Sequence, residues 1–319
     1  MLSCVCGVRL GVMLKPRALR PGDRVAVVAP ASSFIRQEFD DGLEEVRRLG
    51  FDPVYDESVF DRQRYLAGSP EVRAAGLRRA WQDPTIAGII GVRGGYGSVQ
   101  VLPLLDVEEA RRARKPFIGY SDLTSLLSFL TTRCGLVAFH GPVLAGKLAR
   151  GDAGYDRDSL VRSVCRAEPV GELAPPGLRV IKRGEAVGPL LGGTMTQLLG
   201  SLGTPFAFAP PDRFVLFLDE VSERPYRLDR MITQLGQSGL LARAVAVVIG
   251  ELPKCDEPSG DPTAEAVIAA QLRDFPGPVV MGFPSGHTAG PSMTLPLGIT
   301  CRVLSDHRPR LVIEEAAVE

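Results

Sequence analysis

Segments with the character of buried strands alternate along the sequence with stretches in which apolar residues recur at the period of a helix. In the first half, predicted strands at 24–29, 51–55 and 86–92 alternate with predicted helices at 37–49 and 70–81. Continuous apolar runs such as 86–92 are typical of a parallel sheet covered on both faces. Because strands and helices alternate, the first half is predicted to be an open, doubly wound α/β domain.

The second half alternates in the same way and then changes period. Predicted strands at 214–218, 244–250 and 279–283 are separated by predicted helices, and the period-two segments 299–303 and 311–313 predict an antiparallel pair. Residues 166–186 are polar and rich in Pro and Gly, which is typical of a linker. We therefore predict an N-terminal α/β domain over 13–165 and a smaller, mixed α/β C-terminal domain over 187–319.

Charge and cysteine usage narrow the classes of partner. The 37 Lys and Arg residues are balanced by 37 Asp and Glu residues, so the chain carries no electrostatic footprint for nucleic acid or for an acidic membrane surface. Its six cysteines are scattered without metal-ligand spacing, which predicts reduced thiols in the cytoplasm and no metal centre. Residues 1–12 lack the ordered regions of a signal peptide and are expected to lie outside the fold, either as an unstructured extension or because the start codon is misplaced.

One stretch combines a strand end, a serine and a helix start. Residues 119–123, Gly-Tyr-Ser-Asp-Leu, follow a short apolar run and precede an amphipathic segment, which predicts a tight turn that exposes Ser121. The pattern matches the G-x-S-x-G nucleophile elbow only in part, because the second glycine is missing. Two interpretations therefore remain: Ser121 is a nucleophile, or Ser121 or Asp122 simply caps the helix.

A second turn rich in glycine follows another predicted strand. Residues 93–97, Arg-Gly-Gly-Tyr-Gly, let the backbone approach a ligand closely or direct several N–H groups at one point. Their spacing fits neither a Rossmann fingerprint nor a P-loop. An ordinary β-to-α turn is the alternative. Both turns follow strands, so in an open parallel sheet they lie at the same ligand-binding edge.

An acid and a base occupy equivalent places in the second half. Asp219 and Glu220 end one predicted strand, and His287 follows another in a loop rich in Gly, Pro and Ser. Of the other two histidines, His307 lies in a surface turn and His140 is of the kind that is more often structural. A serine nucleophile needs an imidazole to accept its proton and a carboxylate to orient that imidazole. The residues required for such a triad are present.

Several short motifs carry a family resemblance. They are Gly-Gly-Tyr-Gly at 94–97, Phe-Ile-Gly-Tyr-Ser-Asp at 117–122, Phe-His-Gly-Pro at 139–142, Leu-Gly-Gly at 191–193, the block at 218–231 and Gly-His-Thr at 286–288. In these motifs and their order, from about Gly22 to the end, the chain resembles the LD-carboxypeptidases. These serine peptidases include the muramoyltetrapeptide carboxypeptidases and the microcin C immunity peptidases. The resemblance implies a flavodoxin-like N-terminal domain and a smaller C-terminal domain that carries the acid and base.

The resemblance implies roles for individual residues. Ser121 would be the nucleophile and His287 the general base, with the carboxylate supplied by Asp219 or Glu220. The family usually has Glu-Asp where this chain has Asp-Glu at 219–220. Alignment favours Asp219 as the acid of the triad, although its side chain is one methylene shorter than that of glutamate. Glu220 remains the alternative acid. Backbone N–H groups of Gly95 and Asp122 would form the oxyanion hole.

The resemblance also implies the reaction and the partner. The expected substrate is a murein tetrapeptide, cut at the L-to-D bond before its terminal D-alanine by a cytoplasmic homodimer without a metal or cofactor. Candidate residues for binding the substrate, including its carboxylate, are Arg93, Tyr96, Arg224 and Arg227. Two alternatives are a microcin C immunity-type amidase, which acts on aminoacyl-nucleotide peptides, and a non-catalytic module that binds a peptide or nucleotide.

Overall fold

A computed structural model describes residues 13–319. Its strands are β1 (Arg24–Val28), β2 (Asp52–Val54), β3 (Ile86–Gly91), β4 (Phe117–Gly119), β5 (Ala138–His140), β6 (Pro169–Leu173), β7 (Arg179–Lys182), β8 (Gly184–Thr194), β9 (Phe214–Asp219), β10 (Ala244–Gly250), β11 (Val279–Phe283), β12 (Leu295–Leu297), β13 (Thr300–Ser305) and β14 (Arg310–Ala316). Its α-helices are α1 (Arg36–Arg48), α2 (Pro70–Gln82), α3 (Ser98–Val101), α4 (Val107–Ala113), α5 (Thr124–Ser128), α6 (Arg157–Cys165), α7 (Met195–Ser201), α8 (Pro225–Gln237), α9 (Leu240–Arg243) and α10 (Ala264–Gln271).

The first sheet is the predicted open α/β sheet. Its six strands run in the order β12-β5-β4-β3-β1-β2, and every neighbouring pair is parallel except β12 with β5. Strand β3 is buried at every residue but one, because helices cover both faces of the sheet. The predicted fold class, a mixed α/β chain whose N-terminal sheet is mostly parallel, is confirmed.

The second sheet is mixed and curls. Its eight strands run in the order β6-β14-β13-β8-β9-β10-β11-β7, with a parallel centre from β8 to β11 and antiparallel strands at both sides. Edge strands β6 and β7 are joined by residues 174–178 alone, a connection that spans at most about 20 Å. Eight strands laid flat would hold their edges about 34 Å apart. The sheet must therefore bend so that its edges approach each other.

The segment expected to be a linker takes part in this sheet. Residues 166–186 contain β6, β7 and the start of β8. Their polar and Gly-rich composition is compatible with strands at the exposed sheet edges, where one face and one hydrogen-bonding side are open to water. Conversely, strand β12, which belongs to the C-terminal half of the chain, pairs with β5 in the first sheet. The domain boundaries themselves remain predictions.

At the turn after β4, Leu123 stands where the G-x-S-x-G pattern has its second glycine, and the packing around the turn accommodates this side chain. A Cβ added at Gly91 or Gly119 would lie 2.3 Å or 2.7 Å from Leu123 Cδ1. The fully buried Leu123 side chain occupies the space that these two glycines leave open. The helix start is thereby drawn against β3 and β4, and the turn at Ser121 is held at the carboxyl edge of the sheet.

Candidate active site

Ser121 sits in a strained turn between a strand and a helix. Strand β4 ends at Gly119, Tyr120 is extended, and Ser121 opens a 3-10 turn that runs to Leu123 before α5. The backbone of Ser121 has φ of 64°, a left-handed conformation that L-residues other than Asn and Asp seldom adopt. Such strain persists only where the surrounding fold imposes it, and it is the geometry of a nucleophile elbow.

The two halves of the chain bring three side chains into a hydrogen-bonded line. His287 Nε2 lies 3.1 Å from Ser121 Oγ, and His287 Nδ1 lies 2.7 Å from Asp219 Oδ2. The His287 side chain keeps 16% of its surface exposed, whereas the Asp219 side chain is fully buried. The imidazole is therefore open to a ligand on one side and shielded from water on the side of the carboxylate.

Asp219 is held by more than the imidazole. The backbone N–H of His287 also donates to its carboxylate, at 3.2 Å and 3.3 Å. Burial raises the pKa of Asp219, and the hydrogen bond and charge of His287 oppose that effect. A buried carboxylate at Nδ1 selects the tautomer that carries the proton there, which leaves Nε2 free to accept a proton from Ser121.

Glu220 faces another direction. Its carboxylate accepts hydrogen bonds from the backbone N–H and the hydroxyl of Thr196, at 2.9 Å and 2.8 Å, and from the N–H of Val221. Successive strand residues point to opposite faces, so Asp219 and Glu220 diverge at the end of β9. Of the two acids that the sequence left open, Asp219 is the one in contact with His287, and Glu220 binds the first turn of α7.

The glycine turn lies directly beside Ser121. A Cβ added at Gly94 would lie 2.8 Å from Ser121 Cβ and 3.1 Å from the backbone nitrogen of Asp122. Gly95 and Gly97 have φ of 89° and 120°. Within residues 13–319, the Gly95 N–H has no hydrogen-bond acceptor. The turn therefore places an unused backbone donor near the two residues that begin the 3-10 turn.

Within residues 13–319, the other predicted binding residues make no hydrogen bond to the side chains of Ser121, His287 or Asp219. Arg93 donates to the carbonyl of Ser33 at 3.3 Å. Arg224 pairs with Glu257 and Arg227 with Glu223, both at the start of α8. Tyr96, in the glycine turn, is 43% exposed. Of these four residues, Tyr96 belongs to the turn that lies beside Ser121, whereas Arg224 and Arg227 are paired with carboxylates.

Two further titratable groups lie next to the His287 loop. Lys147 Nζ donates to Thr288 Oγ1 at 2.9 Å, and burial lowers the pKa of this lysine to about 8, with the charge of Arg150 acting in the same direction. Sequence reasoning missed Lys147, although a lone charge in the apolar segment 142–148 was a usable signal. His140 Nδ1 lies 2.8 Å from Ser285 Oγ. Burial lowers the pKa of His140 to about 3, so it is a neutral, buried histidine.

Residues 13–319 contain no group of three or more His, Cys, Asp or Glu side chains arranged to hold a metal ion. In the same part of the chain, no helix combines the length and the apolar character needed to cross a bilayer.

Comparison with known proteins gives the chain its family. Sequence profiles described as the LD-carboxypeptidase N-terminal and C-terminal domains match residues 25–141 and 187–303. A murein tetrapeptide carboxypeptidase of Pseudomonas aeruginosa is 33% identical over 278 residues, covering 83% of this chain and 88% of that protein.

Solved structures agree on the fold. The crystal structure of a muramoyltetrapeptide carboxypeptidase from Oxalobacter formigenes has a TM-score of 0.81 and 26% identity, over 92% of this chain and 99% of that one. The microcin C7 self-immunity protein MccF has a TM-score of 0.87 and 22% identity, over 96% and 100% of the two chains. The fold is mixed α/β, and the family match and the named relatives define a peptidase. The chain belongs to the LD-carboxypeptidase family.

Proposed function

We propose that this protein is a serine carboxypeptidase that hydrolyses an L-to-D peptide bond and releases C-terminal D-alanine from murein tetrapeptides during cell-wall recycling. The observation that carries the proposal is the continuous line from Ser121 Oγ through His287 to the buried Asp219, with distances of 3.1 Å and 2.7 Å. A non-catalytic module has no need for a buried carboxylate that orients an imidazole toward a strained serine. The arrangement of these three side chains therefore favours catalysis over binding alone.

In the proposed mechanism, Ser121 Oγ attacks the scissile carbonyl carbon while His287 Nε2 accepts the hydroxyl proton. Asp219 stabilises the imidazolium that forms. The carbonyl oxygen becomes an oxyanion, which the N–H groups of Gly95 and Asp122 would stabilise. Each such donor contributes on the order of 3 kcal/mol to the transition state.

The tetrahedral intermediate then breaks its C–N bond. His287 returns the proton to the departing amine, so D-alanine leaves and an ester to Ser121 remains. A water molecule gives one proton to His287 and attacks the ester. Collapse of the second intermediate returns that proton to Ser121 and frees the shortened peptide. Protons and electron pairs balance over the cycle without a metal or cofactor.

The substrate assignment rests on the relatives rather than on a cavity. The Pseudomonas aeruginosa protein is named a murein tetrapeptide carboxypeptidase, and the Oxalobacter formigenes protein a muramoyltetrapeptide carboxypeptidase. We assign recognition of the substrate carboxylate to Arg93, Arg224 or Arg227, because a guanidinium binds a carboxylate through two parallel hydrogen bonds. Tyr96 would contact the peptide from the exposed side of the glycine turn. A cytoplasmic homodimer is part of the same proposal.

The second candidate is an amidase of the microcin C immunity type. The fold similarity to MccF favours it, and a structure of that protein holds aspartyl sulfamoyl adenosine. Both candidates use the same three side chains and differ in what lies on the leaving-group side of the scissile bond.

Mass spectrometry separates these candidates. The purified protein is incubated with L-Ala-γ-D-Glu-meso-diaminopimelate-D-Ala, with the lysine analogue, and with aspartyl sulfamoyl adenosine. Release of D-alanine from a tetrapeptide, lost in Ser121→Ala and His287→Ala, supports the carboxypeptidase. Cleavage of the sulfamoyl adenosine alone supports the amidase. No turnover of any of them by folded protein contradicts both assignments.

A further inference from the structure

We propose that Ser32 and Arg73 are positioning residues for the oxyanion hole. They would fix the orientation of the Gly95 N–H by holding the glycine turn 94–97, without hydrogen bonding to the three aligned side chains. The inference rests on the proposed function, because it concerns the donor that Gly95 would supply to the reaction. Neither side chain contacts Ser121, His287 or Asp219 in the hydrogen bonds of the described residues.

Ser32 holds the backbone on both sides of Gly95. Its N–H donates to the carbonyl of Gly94 at 3.2 Å, and its hydroxyl accepts the N–H of Tyr96 at 3.0 Å. The same hydroxyl also lies 3.3 Å from the Tyr96 carbonyl. The two peptide groups that flank Gly95 are therefore fixed to one residue, and the orientation of the Gly95 N–H follows from them.

Space around Gly95 supports the same interpretation. Its φ of 89° is a conformation that suits glycine. A Cβ added there would lie 2.5 Å from Ser32 Oγ. The hydroxyl of Ser32 thus packs against Gly95 itself. Since the Gly95 N–H has no acceptor among residues 13–319, its neighbours rather than a hydrogen bond of its own hold it in place.

Arg73 clamps the same turn from the other end. This side chain of α2 is only 3% exposed, and Nη1 donates to the carbonyls of Pro30 and Gly97 at 2.9 Å and 2.7 Å. Nε donates to the carbonyl of Gly68 at 3.2 Å, and Nη2 to the side chain of Gln100 at 2.6 Å. The rigid fork of a guanidinium suits such convergent carbonyls. Arg73 therefore ties the segment leading to Ser32 to the end of the glycine turn.

The second oxyanion donor is coupled to this frame. Asp122 Oδ2 accepts the N–H of Ser98 at 2.8 Å, and the Ser98 hydroxyl donates to the carbonyl of Asp122 at 2.5 Å. Burial lowers the pKa of Arg73, while the charge of Asp122 opposes that effect. Since Ser98 follows Gly97 directly, the turn that carries Gly95 and the turn that carries the Asp122 N–H are joined by these two hydrogen bonds.

The test compares Ser32→Ala and Arg73→Met with matched controls. Ser33→Ala removes the neighbouring hydroxyl, and Arg79→Met removes a half-exposed arginine of the same helix. Ser32→Thr and Arg73→Lys are the conservative variants. Two readouts are used: kcat and KM for the tetrapeptide, and the rate at which a fluorophosphonate phosphonylates Ser121. In that reaction Ser121 Oγ bonds to phosphorus, its proton passes to His287 and fluoride leaves, while the P=O oxygen requires the oxyanion donors.

We expect Ser32→Ala and Arg73→Met to lower both kcat and the phosphonylation rate by about tenfold to a hundredfold, because a displaced donor stabilises the transition state less. KM should change less than about threefold, the controls should match wild type, and Ser32→Thr should recover most of the loss. If Arg73→Met does not fold, Ser32→Ala decides the question.

Normal phosphonylation in folded Ser32→Ala and Arg73→Met would overturn the inference. A loss that appears in KM alone would also overturn it, since misplaced oxyanion donors weaken the transition state and not the bound substrate. Wild type that is phosphonylated at Ser121 without cleaving tetrapeptide would contradict the proposed substrate only, and phosphonylation would then test the inference by itself.

Discussion

His287 Nδ1 lies 2.7 Å from Asp219 Oδ2, and the backbone N–H of His287 reaches the same carboxylate. The Asp219 side chain is shorter by one methylene than the glutamate that the family resemblance implies at this position. Gly286, with φ of 79°, lets the His287 loop approach closely, because a Cβ there would lie 2.5 Å from Asp219 Oδ2. The loop backbone comes to the carboxylate, so the shorter side chain still reaches the imidazole.

Asp219→Asn and Glu220→Gln make the same chemical change at adjacent positions and should have different results. The Asn amide disfavours the required His287 tautomer, so we expect kcat to fall by about 10⁴. Glu220→Gln should keep kcat within a few-fold and lower the free energy of unfolding by about 1 kcal/mol, since its carboxylate binds the first turn of α7. Steady-state kinetics and urea unfolding measure the two effects. An equal loss of kcat in both variants would contradict this assignment.

Ser121→Ala should abolish turnover and leave binding in place. Loss of the nucleophile is expected to lower kcat by about 10⁴ or more, whereas calorimetric affinity for the tetrapeptide should stay within about tenfold. Ser125→Ala is the matched control, because the Ser125 hydroxyl contacts Gln197 and not His287. Turnover by Ser121→Ala at the wild-type rate would rule out Ser121 as the nucleophile.

Gly94→Ala should damage the site while leaving the fold largely intact. The new Cβ would lie 2.8 Å from Ser121 Cβ and 3.0 Å from its Oγ, so either the serine or the turn must move. We expect kcat to fall at least about 100-fold, the size of effect seen when an oxyanion donor is lost.

Gly200→Ala serves as the control, because its added Cβ meets nothing within 4 Å. It lies within α7, where alanine should be neutral or stabilising by up to about 1 kcal/mol. Kinetics and thermal unfolding of both variants test the contrast. Wild-type kcat in Gly94→Ala would show that the turn tolerates a side chain beside Ser121.

His140 should make the fold sensitive to acid. Its pKa is lowered from 6.5 to about 3 by burial, so below about pH 6.5 the unfolded chain binds a proton that the folded chain excludes. Stability from this residue is therefore complete above pH 6.5 and is lost as pH falls toward 3, by about 1.4 kcal/mol per pH unit.

His140→Asn removes this titration and retains a polar group near Ser285. Between pH 7.5 and 5.5, we expect the free energy of unfolding to fall by about 1 kcal/mol less in His140→Asn than in wild type, as measured by urea unfolding. His307→Asn, at an exposed position, is the control and should follow wild type. Equal losses in His140→Asn and wild type would contradict a buried, neutral His140.

Much of the fold was predictable because its signals are local. The apolar runs that became β1, β3, β9 and β10 and the helical periods of α1, α2 and α8 each lie within a few residues of the chain. The residues 169–173 and 179–182 gave no such signal, because edge strands exposed on one side lack a continuous apolar run. Strand β12 was also missed, since three residues acquire strand geometry only by pairing with β5.

The sequence by itself determined the alternation of strands and helices, and with it the strand ends at which Ser121, the acids at 219–220 and His287 lie. Only the tertiary structure decided which acid meets the imidazole, where Lys147 lies, and that Ser32 and Arg73 hold the glycine turn. Periodicity is a property of neighbouring residues, whereas the direction of a side chain at a strand end depends on register and on loops that arrive from distant parts of the chain. Those long-range contacts select Asp219 over Glu220 as the partner of His287.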